Sequence, residues 1–412
     1  MIDLSLLRDN PAHVIELLKK KDPGYDAQLL FDLDKKVKSV KIEVEDLRHK
    51  KNELAKKGRQ GITDELRQQS KQLGKDLKEK EVQLQELEVK FKDLYLRCPN
   101  IPQEDVPSGG KAENKVVKEF GKKPTFSFAI QDHIELGERL GWLDFEVAAK
   151  IAGSNFAFYK GDAVKLQYAL TMYMLKNNMA NGYDIVLPPY LVNEKSLLVS
   201  GNFPKFRDQV YEVKDQGLFL TPTAEVDLAS VYRDKILSAE QLPLRMTAWT
   251  SCFRSEAGAY GAAERGLIRI HQFEKVELFA LSEPEHSQDE LDRMIASAEA
   301  ILQKLGLHYR VSLLAAQDCS FPSAKTYDIE VWMPARKEYY EVSSCSNCTD
   351  FQARRGLIRY RKSPDSKPSL LYTLNGSSLA LPRLLVAIME TYQQEDGSIA
   401  IPEFLKKEAL FS

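Results

Sequence analysis

Between Leu30 and Leu94, apolar side chains recur at alternating steps of three and four residues, and most of what lies between them is charged or amide-bearing. Leu30, Leu33, Val37, Val40, Val44, Leu47 and Leu54 form one series, broken only by Lys51. Leu66, Leu73, Leu77, Leu84, Leu87, Phe91 and Leu94 form a second, with Ser70 and Lys80 at its weak positions. Such a stripe keeps one face of a helix apolar along its whole length. Two stripes separated by Gly58–Gly61 predict a two-stranded antiparallel coiled coil over about residues 26–97, turning near residues 57–63. At 1.5 Å per residue, helices of about 33 residues reach ~50 Å. Ahead of this arm, Asp9 or Asn10 followed by Pro11 predicts one short helix within residues 1–25.

The pattern changes at Cys98-Pro99-Asn100-Ile101-Pro102, and a polar linker with Gly109 and Gly110 runs to Pro124. An N-terminal domain over 1–105 and a second domain over 120–412 are expected. Helical periods appear at Asp132–Leu140, Leu166–Asn178, Ser287–Leu305 and Ser378–Tyr392. Strand-like runs dominate from Ile185 onward, the last at Leu370–Leu374. Strands and helices fall into runs instead of alternating, which predicts an α+β domain: a mainly antiparallel sheet flanked by helices. Neither GxGxxG nor GxxxxGK[ST] occurs, so a nucleotide here needs another device.

That device is visible in the hairpin from Met246 to Phe279. An apolar strand ending at Phe253 leads to a Gly/Ala-rich loop, Ala257–Ala263, and a β-prone return, Leu267–Phe279. Period-two alternation puts Arg254 and Glu256 on one face, and Arg269, His271, Phe273, Lys275 and Glu277 on one face of the return strand. Two Arg, two Glu, a Lys and a Phe suit a charged, flat ligand better than a core. Three further polar patches accompany it: Thr221–Glu225, Glu341–Ser344 at the end of a strand that begins Tyr327–Trp332, and Leu374–Ser378 running into the helix that carries Arg383.

Composition narrows the setting. Charge is nearly balanced, 58 Lys+Arg against 60 Asp+Glu, so any attraction to nucleic acid must be local. It is local at the arm's tip, where Arg48, Lys50, Lys51, Lys56, Lys57, Arg59, Arg67 and Lys71 face only Glu53, Asp64 and Glu65. A basic tip on a rigid arm suits a phosphate backbone held away from the body. No apolar run approaches the roughly 20 residues that span a bilayer, and the opening MIDLSLLRDNPAHV lacks the features of a secretory signal. With 5 scattered Cys, a cytoplasmic protein away from membranes is expected. Cys345 and Cys348 form a lone CxxC without a second ligand pair, so two ordinary thiols and no zinc are expected.

The segment FRSEAG…RGLIRIHQFEKVEL resembles motif 2 of the class II aminoacyl-tRNA synthetases, TLNGSSLALPRLLVAIMETYQQ resembles motif 3, and Val186–Val192 is similar to motif 1, the dimer-interface element. Together with PTAEV, EVSSCSN, FQARR and the arm, the whole chain resembles the bacterial-type seryl-tRNA synthetase family. The resemblance implies a homodimer that activates L-serine with ATP and loads serine tRNA, gripping its long variable arm, with selenocysteine tRNA as a further substrate to be charged with serine. It implies catalytic roles for Arg254 and Arg383, and an ATP site of Arg254, Ser255, Glu256, Arg269, Ile270, Phe273, Glu341, Val342, Ser343, Ser344 and Arg383. Phe273 would stack beneath adenine with Arg383 opposite, Glu256 would accept from the adenine amino group, and Arg269 would meet the phosphate tail. Glu341 and Ser344 would hold Mg²⁺. Thr223, Ala224, Glu225, Arg254, Glu277, Asn375 and Ser377 would form the serine site, with Glu277 on the hydroxyl. Lys50, Lys51, Lys56, Lys57 and Arg59 would meet tRNA.

The chain departs from the family pattern at Ala262-Ala263-Glu264, where Arg-Asp-Thr is usual, at Asp227 for Pro, and at Ser378 and Pro382 for Gly. Two other readings stay open on sequence: a paralogue that loads a different acceptor, and a non-catalytic RNA-binding descendant. The arm weighs against the first, and Arg254, Glu277, Glu341 and Arg383 against the second.

Overall fold

The computed structural model describes residues 1–58, 63–256 and 265–408, which divide into two compact units, Met1–Pro99 and Asn100–Ser412. The first unit opens with two helices where one was expected, α1 (Leu4–Asp9) and α2 (Pro11–Lys21). Helix α2 is the expected one, since the Asn10 side chain accepts from His13 N and caps the helix that Pro11 begins, and α1 is additional.

The arm consists of α3 (Ala27–Gly58) and α4 (Asp64–Leu96), the latter capped by Thr63. Val40, Val44, Leu77 and Leu87 fill the seam, flanked by Leu33, Val37, Leu47 and Leu84. Lys80, at a weak seam position, reaches Glu43 at 2.5 Å, and Arg48 reaches Glu81 at 2.7 Å. Exposed pairs of this kind contribute little, so the apolar seam carries the arm. At its base the Tyr25 hydroxyl donates to Leu94 O, the Tyr95 hydroxyl to Ile2 O, and Arg8 forks onto Asp34. Lys50 pairs with Asp46 and Lys56 with Glu53, while Lys51 and Lys57 point to solvent. Arg59 and the turn lie outside the described residues.

The second unit is built on one eight-stranded sheet. Its strands are β1 (Lys115–Phe120), β2 (Asp184–Val186), β3 (Leu244–Phe253), β4 (Gln272–Ser282), β5 (Tyr309–Leu313), β6 (Lys325–Met333), β7 (Glu338–Asn347) and β8 (Tyr372–Ala380). Their order is β1-β5-β6-β7-β8-β4-β3-β2, antiparallel throughout except β2 beside β3. Helices Asp162–Ala180, Ser287–Lys304 and Leu381–Tyr392 cover one face. Val276, Leu278 and Ala280 of β4 point into that layer, buried with Leu166, Met294, Ala298 and Leu385. Phe273, Lys275 and Glu277 of the same strand point the other way.

Three sequence expectations shift. The return limb of the hairpin becomes a strand only at Gln272, so Arg269 and His271 precede it, and β3 ends at Phe253, ahead of Arg254 and Glu256. Residues 265–271 turn because Gly266, at φ +73°, runs against a buried imidazole; a Cβ there would lie 2.2 Å from His133 Nε2. The loop Ala257–Glu264 lies outside the described residues. The last strand continues past Leu374 to Ala380, so Asn375, Ser377 and Ser378 sit on a strand and the helix after it starts at Leu381, with a short further helix at Glu403–Lys406. Glu341–Ser344 lies within β7, a strand separate from β6.

Cys345 and Cys348 are both buried, Cys345 on β7 with its pKa pushed up to about 12 by burial. Among the described residues no helix is long and apolar enough to cross a membrane.

Gly376 is where β8 meets the helix layer most closely: a Cβ there would fall 2.6 Å from Met294 Sδ and 2.9 Å from Cys345 Sγ. Gly376→Ala is therefore expected to destabilise the chain by about 1–3 kcal/mol through overpacking. A lowered urea midpoint checks this, and an unchanged midpoint would show that the helix yields freely.

Candidate active site

The polar face of β4 and its neighbours encloses two cavities that share Arg254, Glu256 and Arg269. The first, about 210 Å³, is lined by Ile270, Phe273, Lys275, Glu341, Ser377 and Arg383 among others. The second, about 330 Å³, includes Thr223 and Glu225 and extends to Phe206 and Phe321.

Arginines define the first cavity. The Arg254 guanidinium lies 5.2 Å from the centre of the Phe273 ring, and its Nε donates to Pro222 O. Arg383, in the first turn of helix Leu381–Tyr392, donates from Nε to Ile268 O and from Nη1 to Glu341 O. Its charge also meets Glu341 Oε2 at 3.4 Å. Arg269 pairs with Glu256 at 2.9 Å, so the carboxylate expected on an adenine amino group is held by a neighbour. The limb that carries Arg269 is fixed from behind. Leu267 N donates to His133 Nε2, and Glu390 accepts from Ala335 N and from His133 N, both side chains fully buried. Accepting at Nε2 leaves the His133 proton on Nδ1, facing Glu390 Oε1 at 3.4 Å.

A compact charge network lies between the cavities. Lys275 Nζ sits 2.5 Å from Glu277 Oε2 and 2.8 Å from Thr223 Oγ1, and the Thr223 hydroxyl donates to Glu277. Thr223 also caps the short helix Ala224–Leu228, in which Ala224 is buried. Glu225 accepts from Gln352 Nε2 at 2.7 Å. Burial, then the nearby charge of Glu277, raises its carboxyl to about 7. Burial raises Asp227 to about 7 as well, against a hydrogen bond from Thr221. Ser377 stands directly across from Glu277 in the β8–β4 register.

A third group lies on β7. Its register against β6 slips at Val342, so Val342 and Ser343 are both buried while Glu341 and Ser344 emerge on the opposite face. Asp328, opposite Ser344, joins them, and burial and the Glu341 charge raise its carboxyl well above the usual range. Its Oδ1 is buried without a hydrogen-bond partner. Hard oxygen donors around an unsatisfied carboxylate oxygen fit a divalent cation such as Mg²⁺.

Not every expected residue reaches a cavity. Ser255 donates its hydroxyl to Asp208 O and its amide to Gln209 O. Ser343 donates to Ser377 O, and Asn375 turns its amide to Cys348 Sγ. Conversely, Lys275, Gln352, Asp227 and Asp328 had no role on sequence. Lys275 was marked by its place between Phe273 and Glu277 in the alternation. Gln352 comes from helix Phe351–Gly356, 127 positions from Glu225; it lies in the FQARR segment, which marked the family but gave this residue no role.

Comparison with known proteins agrees with this architecture. Residues 210–392 match the tRNA synthetase class II core domain of the glycine, histidine, proline, serine and threonine group, which defines the class. Residues 1–102 match the seryl-tRNA synthetase N-terminal domain. A serine–tRNA ligase of Desulfotalea psychrophila is 45% identical, with 98% of each chain covered. A seryl-tRNA synthetase from Pyrococcus horikoshii, solved as a complex with ATP, superposes with a TM-score of 0.92 at 36% identity over 99% of this chain and 98% of that one. The chain belongs to the seryl-tRNA synthetase family. Full-length identity at this level removes the paralogue and non-catalytic readings.

A carboxyl raised in the folded state stabilises the fold while neutral and loses that contribution as pH climbs through its folded value. Glu225→Gln is therefore expected to leave Tm unchanged at pH 5 and to raise it at pH 8, by an amount worth about 2–3 kcal/mol. A Tm difference that stays constant between those pH values would contradict the buried, raised carboxyl.

Proposed function

We propose that this serine–tRNA ligase divides its reaction between the two cavities, with Arg254 at their junction. L-serine and ATP give seryl-adenylate and pyrophosphate, and the seryl group then passes to the 3′-hydroxyl of the terminal adenosine of serine tRNA. The observation that carries this reading is that Arg254 lines both cavities, one aromatic and cationic, the other carboxylate-rich.

Adenine lies on Phe273 with the Arg383 guanidinium above it, and the main chain at Ile270 borders the same space. Glu256 and Arg269 exchange their mutual pair for the adenine amino group and the phosphate tail. Arg254 forks between the serine carboxylate and the α-phosphate, where negative charge accumulates in the transition state. The serine carboxylate is already ionised at neutral pH, so no general base is required. One of its oxygens attacks the α-phosphorus, and pyrophosphate leaves. Glu341 and Ser344, with Asp328 behind them, would hold Mg²⁺, which when bound supplies positive charge against the phosphate oxygens. Val342 and Ser343 act from the buried side by fixing that stretch of β7.

Thr223 and Glu225 take the α-ammonium, and Ala224 keeps the helix start close. Glu277 accepts the serine hydroxyl beside Ser377, while the Lys275 ammonium holds the Glu277 carboxylate in place. Alanine would leave Glu277 without the hydrogen bond that the serine hydroxyl donates, a basis for rejection. Asn375 contributes through Cys348, and Ser255 through the loop it ties down.

The arm grips the long variable arm of serine tRNA with Lys50, Lys51, Lys56, Lys57 and Arg59 on phosphates. A homodimer is supported by an apolar surface around motif 1, where Leu187 is 76% and Ile185 50% exposed. The work is cytoplasmic, in keeping with five scattered cysteines.

Arg254→Ala is expected to cut serine-dependent ATP–pyrophosphate exchange by about 10²–10³-fold; exchange near the unmodified rate would remove Arg254 from the transition state. Replacing Lys50, Lys51, Lys56 and Lys57 together by Ala should leave exchange intact, raise KM for tRNA and flatten its salt dependence. Unchanged charging across salt concentrations would show that the arm's tip does not hold tRNA.

A further inference from the structure

The second cavity is larger than serine needs. Thr223, Glu225 and Arg254 form its buried end, but Asn202, Phe206, Gln209, Phe321 and Pro322 have no part in activation. We infer that this outer half receives the terminal adenosine of the tRNA, with Phe206 as the surface on which its base stacks. The inference rests on the two-cavity reading above and names the seat of its second substrate.

The chemistry fixes where that nucleotide must be. Its 3′-hydroxyl oxygen forms the new ester bond to the seryl carbonyl carbon, the bond from that carbon to the phosphate oxygen breaks, and AMP departs with the electron pair. The hydroxyl proton ends on the departing phosphate. Adenylate already fills the first cavity, so the hydroxyl approaches through the space that opens from the amino-acid end.

That space carries the side chains a nucleotide end requires. Phe206 is half-buried, its ring set at 86° to Phe321 with centroids 6.1 Å apart. Phe321 is buried and itself braced edge-on by Phe351 at 5.5 Å. One ring is therefore fixed and the other offers a face. The exposed Lys205 places Nζ 5.2 Å from the Phe321 centre, a cation beside the aromatic pair for the preceding phosphate. Asn202 and Gln209 supply carboxamides that can meet base edges. The loop is also tied to the reacting centre. Ser255, next to Arg254, donates to Asp208 O and Gln209 O, so the stacking ring and the α-phosphate arginine share one support.

Stacking on an aromatic contributes about 1–3 kcal/mol per base, roughly 5–150-fold. Phe206→Ala and the bulkier Phe206→Leu are both expected to keep serine-dependent pyrophosphate exchange within about twofold. Both should slow single-turnover transfer from preformed seryl-adenylate to tRNA by roughly 5–150-fold, and Phe206→Tyr should restore it. A tRNA lacking its terminal adenosine should compete less well than intact tRNA against the unmodified chain, and equally well against Phe206→Leu. Equal loss of exchange and transfer would assign the cavity to ATP phosphates, and unchanged transfer in both variants would also overturn the proposal. Absence of serine-dependent exchange in the unmodified chain would instead overturn the activation chemistry beneath it.

Discussion

The pleat of β4 is the constraint on which the rest of the site depends. Alternate residues of one strand belong to two different solvents. Val276, Leu278 and Ala280 are buried against three helices, while Phe273 and Lys275 line the first cavity and Glu277, on the same face, is buried beside Lys275 and Thr223. The helix layer fixes the first set to within a van der Waals contact, and the strand geometry transmits that precision to the second. A register slip of one residue would put a lysine and a glutamate in the core and open the site to apolar side chains. Core packing and substrate geometry are one interaction seen from two sides.

On the ligand side, electrostatics is deliberately incomplete. Glu225, Asp227 and Glu277 lie together, and Lys275 compensates only Glu277 directly. Burying carboxylates without partners is costly, and the raised carboxyls of Glu225 and Asp227 express that cost. In the proposed reaction the serine ammonium would be the missing cation, and a site left short of positive charge would favour a charged amine. Asp227 would add to the effect in this chain, which carries an acid where a proline is usual in the family.

Much of this was legible in the sequence, and the reasons are specific. The coiled coil was readable because its period lies wholly within local sequence. Phe273 and Glu277 were readable because alternation and motif coincide. The limb at Arg269 was read as strand because Leu267, Ile268 and Ile270 have β-prone side chains. Its turn is set by His133, 134 positions away from Leu267, which no local pattern encodes. Gln352 and Asp328 were missed for the same reason: their functional neighbours are supplied by other elements. Asn10 is the opposite case, a local cap visible in the sequence that starts α2 at Pro11 as expected, while α1 ahead of it was not foreseen.

Period-two reasoning fails most instructively where the site needs it to fail. Glu341 and Ser344 are three apart, and so are Ser377 and Ala380; on a regular strand each pair would face opposite ways. Both strands carry an extra residue at that point: β7 slips its register against β6 at Val342, and β8 slips against β4 between Ser377 and Ala380. In each case the two intervening residues are buried: Val342 and Ser343 in one, Ser378 and Leu379 in the other. The flanking pair is left on the ligand face. Ser378 can occupy its dry position because its hydroxyl donates to Asn178 Oδ1 at 2.9 Å, and Ser343 because it donates to Ser377 O. Two bulges on adjacent strands thus gather more polar groups onto one face than a regular sheet could offer. In the proposed reaction this is where phosphate and amino acid would meet, so the departures from regular strand geometry would serve the site as much as the arginines do.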